Sequence, residues 1–163
     1  MQIFNKSKVW SGERLEPWVF NATTIEHLHR YALVLDLCES KKVLDAACGD
    51  GYGSRLISSR AKSVVGLDIS QKTIEEAQHK YLSSNLEFIV GSVDDLPFED
   101  NLFDVVISFE TLEHLACHEK ILNEFKRVLK PEGFLVISTP DKKHYSDRKS
   151  TRLNSSHANI SYA

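Results

Sequence analysis

The stretch LDAACGDGYGS at residues 44–54 decides the fold, because it joins a short apolar run to a turn that carries three glycines. The run KVLDAA (42–47) predicts a strand, and the residues after the turn predict a helix over about 53–60. Glycine lets the backbone turn sharply and approach a ligand closely, since no Cβ atom intervenes. The stretch therefore predicts a binding turn between a strand and a helix. Gly51→Val is accordingly expected to block a ligand while leaving the domain folded.

Outward from this turn, predicted strands and helices alternate. Four further strands are predicted from apolar runs, at 63–68, 86–91, 103–109 and 133–139. Helices are predicted over about 24–39, from the capping residue Ser70 through Leu82, and through 121–129, where Pro131 and Gly133 would end the last one. This alternation predicts an α/β fold with a parallel, doubly wound sheet covered by helices on both faces. Ligands bind such sheets at the carboxyl ends of the strands, so we expect the chemistry directly after residues 47, 68, 91 and 109.

Asp68 ends the second predicted strand, 19 residues after Gly49. An acidic residue about 20 positions beyond a glycine-rich turn is placed to accept hydrogen bonds from ribose hydroxyls, which suits NAD or another adenosine cofactor. The dinucleotide fingerprint G-x-G-x-x-G would need a third glycine at residue 54, but this turn has its glycines at 49, 51 and 53. The spacing therefore disfavours NAD.

The composition is that of an ordinary soluble globular domain: 163 residues, 42% hydrophobic and 26% charged, with a net charge of −3. The acidic balance argues against binding nucleic acid through bulk positive charge. No apolar stretch approaches the length of a membrane span, and the N-terminus lacks the apolar core of a signal peptide. The three cysteines are odd in number and widely spaced, which predicts a reducing compartment, the cytoplasm. The oligomeric state does not follow from the sequence.

The chain over about residues 41–140 resembles class I S-adenosylmethionine-dependent methyltransferases, in particular the type 11-like group. Five segments match that family's motifs in order: LDAACGDGYGS (44–54), VVGLDIS (64–70), GSVDDLPFED (91–100), FDVVISFETLEHL (103–115) and RVLKPEGFLVISTP (127–140). The resemblance implies a Rossmann-like doubly wound, mostly parallel sheet, truncated here after the fifth strand. It also implies S-adenosyl-L-methionine as the cofactor and methyl transfer to a small-molecule or glycan/glycolipid acceptor.

Shorter segments resemble a bacterial subgroup associated with surface-polysaccharide synthesis. They include GERLEPW (12–18), IEHLHRYA (25–32), SFETLEHL (108–115) and STPDKKHYSD (138–147). Two alternatives stay open. One is a noncatalytic cofactor-binding fragment, and the other, disfavoured by the glycine spacing, is an NAD-dependent oxidoreductase or epimerase.

The resemblance implies cofactor-binding roles for residues at the ends of the first four strands and directly after them. Asp45, Ala47, Gly49 and Gly51 would surround the methionine moiety, Asp68 would bind the ribose hydroxyls, Ile69 would pack on the adenine, Ser92 and Val93 would line the adenine edge, and Phe109 and Glu110 would face the methyl group. Family members often carry Asp at the position of Ser92, and Asp94 could take over its contact with the adenine amino group. Ala47 replaces a glycine that is frequent in the family, which is tolerable if its φ angle is negative.

His114 is the candidate catalytic residue. It follows Glu110 by four positions, so the two side chains would face the same way if they shared one helical turn. It would then position the acceptor or act as a general base, and the alternative is that it caps or packs the turn. A zinc site with Cys117 and His118 is not expected, because no fourth ligand is in sight.

Two further expectations concern single residues near the predicted site. A basic group among His27, His29 and Arg30 on the first helix could pair with the carboxylate of the cofactor, although a solvated helix face is favoured. Cys48 is expected to be a small packing residue rather than a nucleophile.

A change of composition near residue 146 divides the chain into an N-terminal arm and helix (1–40), a methyltransferase core (41–146) and a polar tail (147–163). The tail is aperiodic, and it can be back-translated into a string that resembles a sequencing adapter. We therefore expect the tail to be non-native and without evolved structure, and the natural chain to continue beyond residue 146.

Overall fold

Five parallel strands form one sheet in the part of the chain that the computed structural model describes, residues 22–139. The strands are β1 (Lys42–Ala46), β2 (Ser63–Asp68), β3 (Leu86–Val90), β4 (Phe103–Phe109) and β5 (Leu129–Ser138). The helices are α1 (Ala22–Val34), α2 (Tyr52–Ile57), α3 (Gln71–Lys80) and α4 (His118–Val128), with a 3-10 turn at Leu112–His114. Side chains are described from residue 25 onward, and the predicted polar tail lies outside the described residues. Over these residues, none of the helices is long and apolar enough to cross a membrane.

The strand order is β3-β2-β1-β4-β5, and every neighbouring pair runs parallel. The predicted α/β fold with a doubly wound parallel sheet is confirmed. The chain builds outward from β1 to β3 and then crosses back to place β4 on the other side of β1. The carboxyl ends of β1 and β4 consequently form the switch point at which such sheets bind ligands.

Alternate side chains of the strands enter two buried layers on opposite faces of the sheet. On one face Val43 packs with Val34 of α1 and Ile57 of α2. On the other face Leu44 packs with Phe125 of α4. Helices therefore cover both faces, which explains why the strands are rich in Val, Ile and Leu instead of strictly alternating with polar residues.

Two helix boundaries differ from the prediction. α1 ends at Val34 rather than near residue 39. α3 is capped by Ser70 as predicted, since its hydroxyl accepts a hydrogen bond from the Thr73 N–H at 3.4 Å. The helix ends at Lys80, however, because the backbone becomes extended at the next residue. Leu82, predicted on the buried face, therefore lies beyond the helix and is 84% exposed.

Pro131 and Gly133 lie inside β5 instead of ending α4 as predicted. The helix already ends at Val128, and the strand begins at the next residue. The pairing of β5 with β4 is irregular near this proline, between Phe103 and Val105. A proline is tolerated there because irregular pairing on an outer strand of the described sheet does not require its missing N–H.

Candidate functional site

The residues singled out in the sequence meet along one edge of the sheet. β1 and β2 lie side by side, so the glycine turn after β1 adjoins Asp68 at the end of β2. β4 lies on the other side of β1 and brings Phe109 and Glu110 to the same edge. Ser92 follows β3, one strand farther out. The topology thus gathers the carboxyl ends of four strands, as predicted.

The three glycines of the turn serve different purposes. A Cβ atom at Gly49, where φ is +56°, would meet nothing within 4 Å, so this glycine faces open space. At Gly51, where φ is +81°, a Cβ would lie 2.5 Å from the Phe88 ring. At Gly53 a Cβ would lie 2.1 Å from the Tyr31 ring. This geometry revises the expectation for Gly51→Val, because the new side chain would enter the core and not the space where a ligand approaches.

Ala47 has a φ of +65°, contrary to the negative φ on which its tolerance depended. The next residue holds the turn in place, since the N–H of Cys48 donates to the carbonyl oxygen of Leu67 at 2.9 Å. A left-handed conformation costs an alanine about 1–2 kcal/mol, because Cβ crowds the following carbonyl oxygen. The turn therefore carries backbone strain at its first residue.

Ala47→Gly is expected to raise the free energy of unfolding by about 0.5–1 kcal/mol. Relief of about 1–2 kcal/mol of strain outweighs the roughly 0.4–1 kcal/mol by which glycine stabilises the unfolded chain. Urea denaturation of the two proteins measures the difference. Ala46→Gly, in the fully buried last residue of β1, is the control and should destabilise the fold. A destabilised Ala47→Gly would contradict the assignment of strain.

Asp68 fastens the glycine turn to the end of β2. Its two carboxylate oxygens accept hydrogen bonds from the N–H of Gly49 at 3.0 Å and the N–H of Ser70 at 2.9 Å. Each oxygen has a second lone pair, so the carboxylate can still accept hydrogen bonds from a ligand. Ile69 beside it is 75% exposed and offers an apolar surface next to these acceptors. A ligand with hydroxyl donors and a flat apolar ring suits this corner.

Asp45 is fully buried beneath the turn. The Ser54 hydroxyl donates to its Oδ2 at 2.6 Å, and the Tyr31 hydroxyl donates to its Oδ1 at 3.1 Å. Burial raises the pKa of this carboxyl to about 6, although both hydrogen bonds lower it. Any role of Asp45 toward the methionine moiety therefore runs through the turn that it supports.

Arg30 reaches the same edge from α1. Its Nη2 lies 3.6 Å from Oε1 of Glu110, and its Nη1 is buried without a hydrogen-bond partner among the described residues. Glu110 has a φ of +53° and accepts a hydrogen bond from the Ser138 hydroxyl at 3.0 Å. The expectation of a solvated helix face is right for the exposed His29 but wrong for Arg30, whose side chain is only 12% exposed. Burial and then the Arg30 charge lower the pKa of His27 to about 4, so that this imidazole is neutral at pH 7.

A second group of polar side chains follows β3. The Ser92 hydroxyl donates to the carboxylate of Asp94, which also pairs with Lys120 of α4 at 3.3 Å. These two contacts lower the pKa of Asp94. Val93, predicted to line the adenine edge, is instead buried in the core layer on the α4 side of the sheet. Ser92 and Asp94 are therefore the polar groups of this corner, and Val93 between them anchors the loop in the core.

Arg127 holds the loop that carries these side chains, and the sequence analysis missed it. Its guanidinium donates to the carbonyl oxygens of Leu96 at 3.0 Å and Phe98 at 2.7 Å, and it pairs with Glu124 and Asp100. A basic residue in the last turn of a helix ordinarily complements the helix dipole, which hides this second role. Its loop partners lie 27 to 31 positions away along the chain, so only the folded structure brings them together.

His114 does not meet the condition set for it. It ends the 3-10 turn, whereas Glu110 lies before that turn with a positive φ, so the two do not share a helical turn. The His114 side chain is 75% exposed and lies 3.9 Å from Glu113. Its exposure leaves it accessible to an acceptor and makes a packing role untenable.

The structure also bears on the roles expected for Cys48 and for Cys117 with His118. Cys48 is buried, and burial raises the pKa of its thiol far above neutrality, which favours the predicted packing role over that of a nucleophile. Within residues 25–139, no group of His, Cys, Asp and Glu side chains is arranged to hold a metal ion, and Cys117 with His118 forms none.

One protein family matches most of the described chain. The family described as a methyltransferase domain matches residues 44–137. A probable S-adenosylmethionine-dependent methyltransferase of Mycolicibacterium smegmatis is 33% identical over 149 residues, covering 90% of this chain and 57% of that protein. Phthiotriol/phenolphthiotriol dimycocerosates methyltransferase 1 of Mycobacterium ulcerans is 34% identical over 120 residues, covering 72% of this chain and 44% of that protein. The chain thus spans about half the length of the curated relatives it matches.

A solved structure has the same fold. The PH0226 protein of Pyrococcus horikoshii matches with a TM-score of 0.71 at 30% sequence identity, over 90% of this chain and 74% of that one. The match supports the α/β fold with a parallel sheet that the described residues form.

Proposed function

The chain belongs to the methyltransferase domain family, and on that premise we propose that it binds S-adenosyl-L-methionine and transfers the methyl group to a small-molecule, lipid or glycan/glycolipid acceptor. The observation that carries the proposal is the presence of two complementary charged groups at one sheet edge. The Asp68 carboxylate adjoins the open space at Gly49, and the Arg30 guanidinium carries a buried nitrogen without a partner among the described residues. A ligand with hydroxyl donors at one end and a carboxylate at the other satisfies both groups.

The residues at this edge fit the parts of S-adenosylmethionine. Asp68 would accept from the ribose hydroxyls, and the exposed Ile69 would cover a face of the adenine. Ser92 and Asp94 would meet the adenine amino group. Arg30 would pair with the carboxylate of the methionine moiety, for which its buried nitrogen is already desolvated.

S-adenosylmethionine, when bound, supplies a methyl group that is already activated by the positive sulfonium. The protein must hold a nucleophile in line with that methyl group, and such positioning can supply roughly 7–11 kcal/mol in ideal cases. Phe109 and Glu110, at the end of β4, are proposed to face the methyl side. The exposed imidazole of His114 is the candidate to receive the proton of the acceptor. If so, His114→Gln should slow methyl transfer without changing cofactor affinity.

The proposed acceptor is a glycolipid, glycan or lipid that presents a hydroxyl group. The glycan part rests on the resemblance of SFETLEHL (108–115) and similar segments to a subgroup associated with surface polysaccharides. The lipid part rests on the Mycobacterium ulcerans relative, whose name specifies phthiotriol and phenolphthiotriol dimycocerosates. A panel of hydroxylated lipids, glycolipids and free sugars, assayed with labelled cofactor, separates these acceptors.

A cytoplasmic location is part of the proposal. Its support is the cysteine usage, because Cys38, Cys48 and Cys117 are all free thiols. Free thiols without a disulfide partner are typical of a reducing compartment.

Calorimetric titration with S-adenosylhomocysteine and, separately, with NADH tests the proposed cofactor. We expect binding of S-adenosylhomocysteine and none of NADH, because the glycine spacing departs from the dinucleotide fingerprint. Binding of NADH alone would favour an oxidoreductase or epimerase. Binding of S-adenosylhomocysteine without methyl transfer to any acceptor of the panel would favour a noncatalytic cofactor-binding module.

A further inference from the structure

Tyr31 lies beneath the candidate site and contacts three of the elements that build it. From α1, its hydroxyl donates to Asp45 of β1 at 3.1 Å. Its ring packs edge-on against Phe109 of β4, with ring centroids 5.0 Å apart, and against Tyr52 of α2 at 5.7 Å. The side chain is buried. One residue thus joins the N-terminal helix to both strands of the switch point.

The third glycine of the turn is explained by this tyrosine. A Cβ atom at Gly53 would lie 2.1 Å from Cζ of Tyr31 and 2.4 Å from both Cε atoms. No side chain of any size fits that gap, so the backbone of α2 lies directly against the ring. Gly53 therefore serves the seating of α1 on α2 and does not serve ligand approach.

Arg30 is the residue before Tyr31 on the same helix. Because the two are consecutive, the seating of the Tyr31 ring determines where the Arg30 side chain leaves the helix. Arg30 approaches Glu110, which directly follows Phe109, the residue on which the Tyr31 ring packs. A displacement of α1 would therefore move the guanidinium away from the end of β4.

We propose that Tyr31 is a positioning residue: by bonding Asp45 and packing on Phe109, it seats α1 so that Arg30 can receive the carboxylate of the cofactor. This inference rests on the proposed function, because it takes S-adenosylmethionine as the ligand. Tyr31 acts through Arg30, so its hydroxyl supports binding of the amino-acid end of the ligand and not of the adenosine end. That asymmetry separates a positioning role from a general contribution to folding.

The contact with Asp45 also depends on pH. An ionised carboxylate accepts from both Tyr31 and Ser54. Protonation turns one of its oxygens into a donor, so the hydroxyl that faces that proton can no longer donate there and the contact is weakened. The pKa of Asp45 is raised to about 6 by burial and lowered by the bond from Tyr31, so removal of that hydroxyl should raise it further. The other titratable groups that face this carboxyl are Cys38, Cys48, Tyr52 and Asp68. Burial raises the pKa of both thiols and of Tyr52 away from neutrality, so they do not titrate in this range.

Titration of Tyr31→Phe with two ligands tests the inference. S-adenosylhomocysteine carries the amino-acid carboxylate, and 5′-methylthioadenosine lacks it. At pH 7 we expect affinity to fall about tenfold for the first ligand and to change by less than about twofold for the second. The decline in affinity for S-adenosylhomocysteine that protonation of Asp45 causes below about pH 6 in the wild type should be lost in Tyr31→Phe, because the bond that protonation weakens is already absent. Tyr52→Phe removes a hydroxyl from the same ring cluster without removing a donor to Asp45, and it should bind both ligands as the wild type does.

A double substitution of Arg30 and Tyr31 tests whether Tyr31 acts through Arg30. In an Arg30→Ala background, Tyr31→Phe should have no further effect on affinity for S-adenosylhomocysteine, because the residue through which it acts is gone. Equal losses for the two ligands, or independent effects of the two substitutions, would overturn the positioning role and leave the proposed function standing. Failure of the wild type to bind either ligand would overturn the proposed function and this inference with it.

Discussion

Asp68→Ala is expected to lower affinity for S-adenosylhomocysteine by about 100-fold. A hydrogen bond to a charged group contributes about 1.5–3 kcal/mol, and the ribose would lose its charged acceptor. The substitution also leaves the N–H groups of Gly49 and Ser70 without the carboxylate that they bond, so the turn itself loosens. Titration calorimetry measures the affinity, and thermal unfolding shows whether the variant is folded at the assay temperature.

Two variants control this experiment. Asp36→Ala removes an exposed carboxylate, paired with Arg60 at 3.0 Å on the surface, and should leave affinity unchanged. Asp68→Asn keeps one acceptor oxygen in the same shape and should fall between the wild type and Asp68→Ala. A folded Asp68→Ala with wild-type affinity would remove the ribose assignment.

Gly51→Val is expected to destabilise the fold by about 2–5 kcal/mol, a large part of the roughly 5–15 kcal/mol that stabilises a domain. Gly51 has a φ of +81°, and at this φ the backbone of any residue with a Cβ atom is strained. The new Cβ would also lie 2.5 Å from the Phe88 ring and 3.1 Å from Cβ of Ala77, so the core must open to admit it. Denaturant unfolding of the variant and the wild type measures the loss.

Gly49→Val is the matched control, because the same substitution is made at a second positive φ in the same turn. A Cβ there meets nothing within 4 Å, so only the backbone strain remains and the fold should lose less stability than in Gly51→Val. Its side chain would enter the open space beside Asp68, and S-adenosylhomocysteine binding should therefore be lost in a folded protein. Equal stability of the two variants would contradict the assignment of Gly51 to the core.

The order of the elements could be predicted from the sequence because each signal is local. The Val/Ile/Leu-rich strands, the cap at Ser70 and the turn after β1 depend on residues within a few positions of one another. The parallel sheet follows from the alternation of strands and helices. The carboxyl ends of its neighbouring strands lie side by side, which places Asp68 beside the glycine turn. The boundaries that went wrong, at Leu82 and Pro131, lie where the end of a helix or the pairing of an outer strand overrides the local pattern.

The sequence by itself determined the alternation of strands and helices along the chain, the acidic residue that ends β2 and the need for an unusual backbone at the glycine turn. The tertiary structure alone decided the direction in which each Cβ would point, and so which glycine faces a ligand and which faces Phe88 or Tyr31. It also decided that Arg30 is buried and that Asp45 joins two helices. The physical reason is that these contacts join residues on different elements, and packing density, not local pattern, selects them.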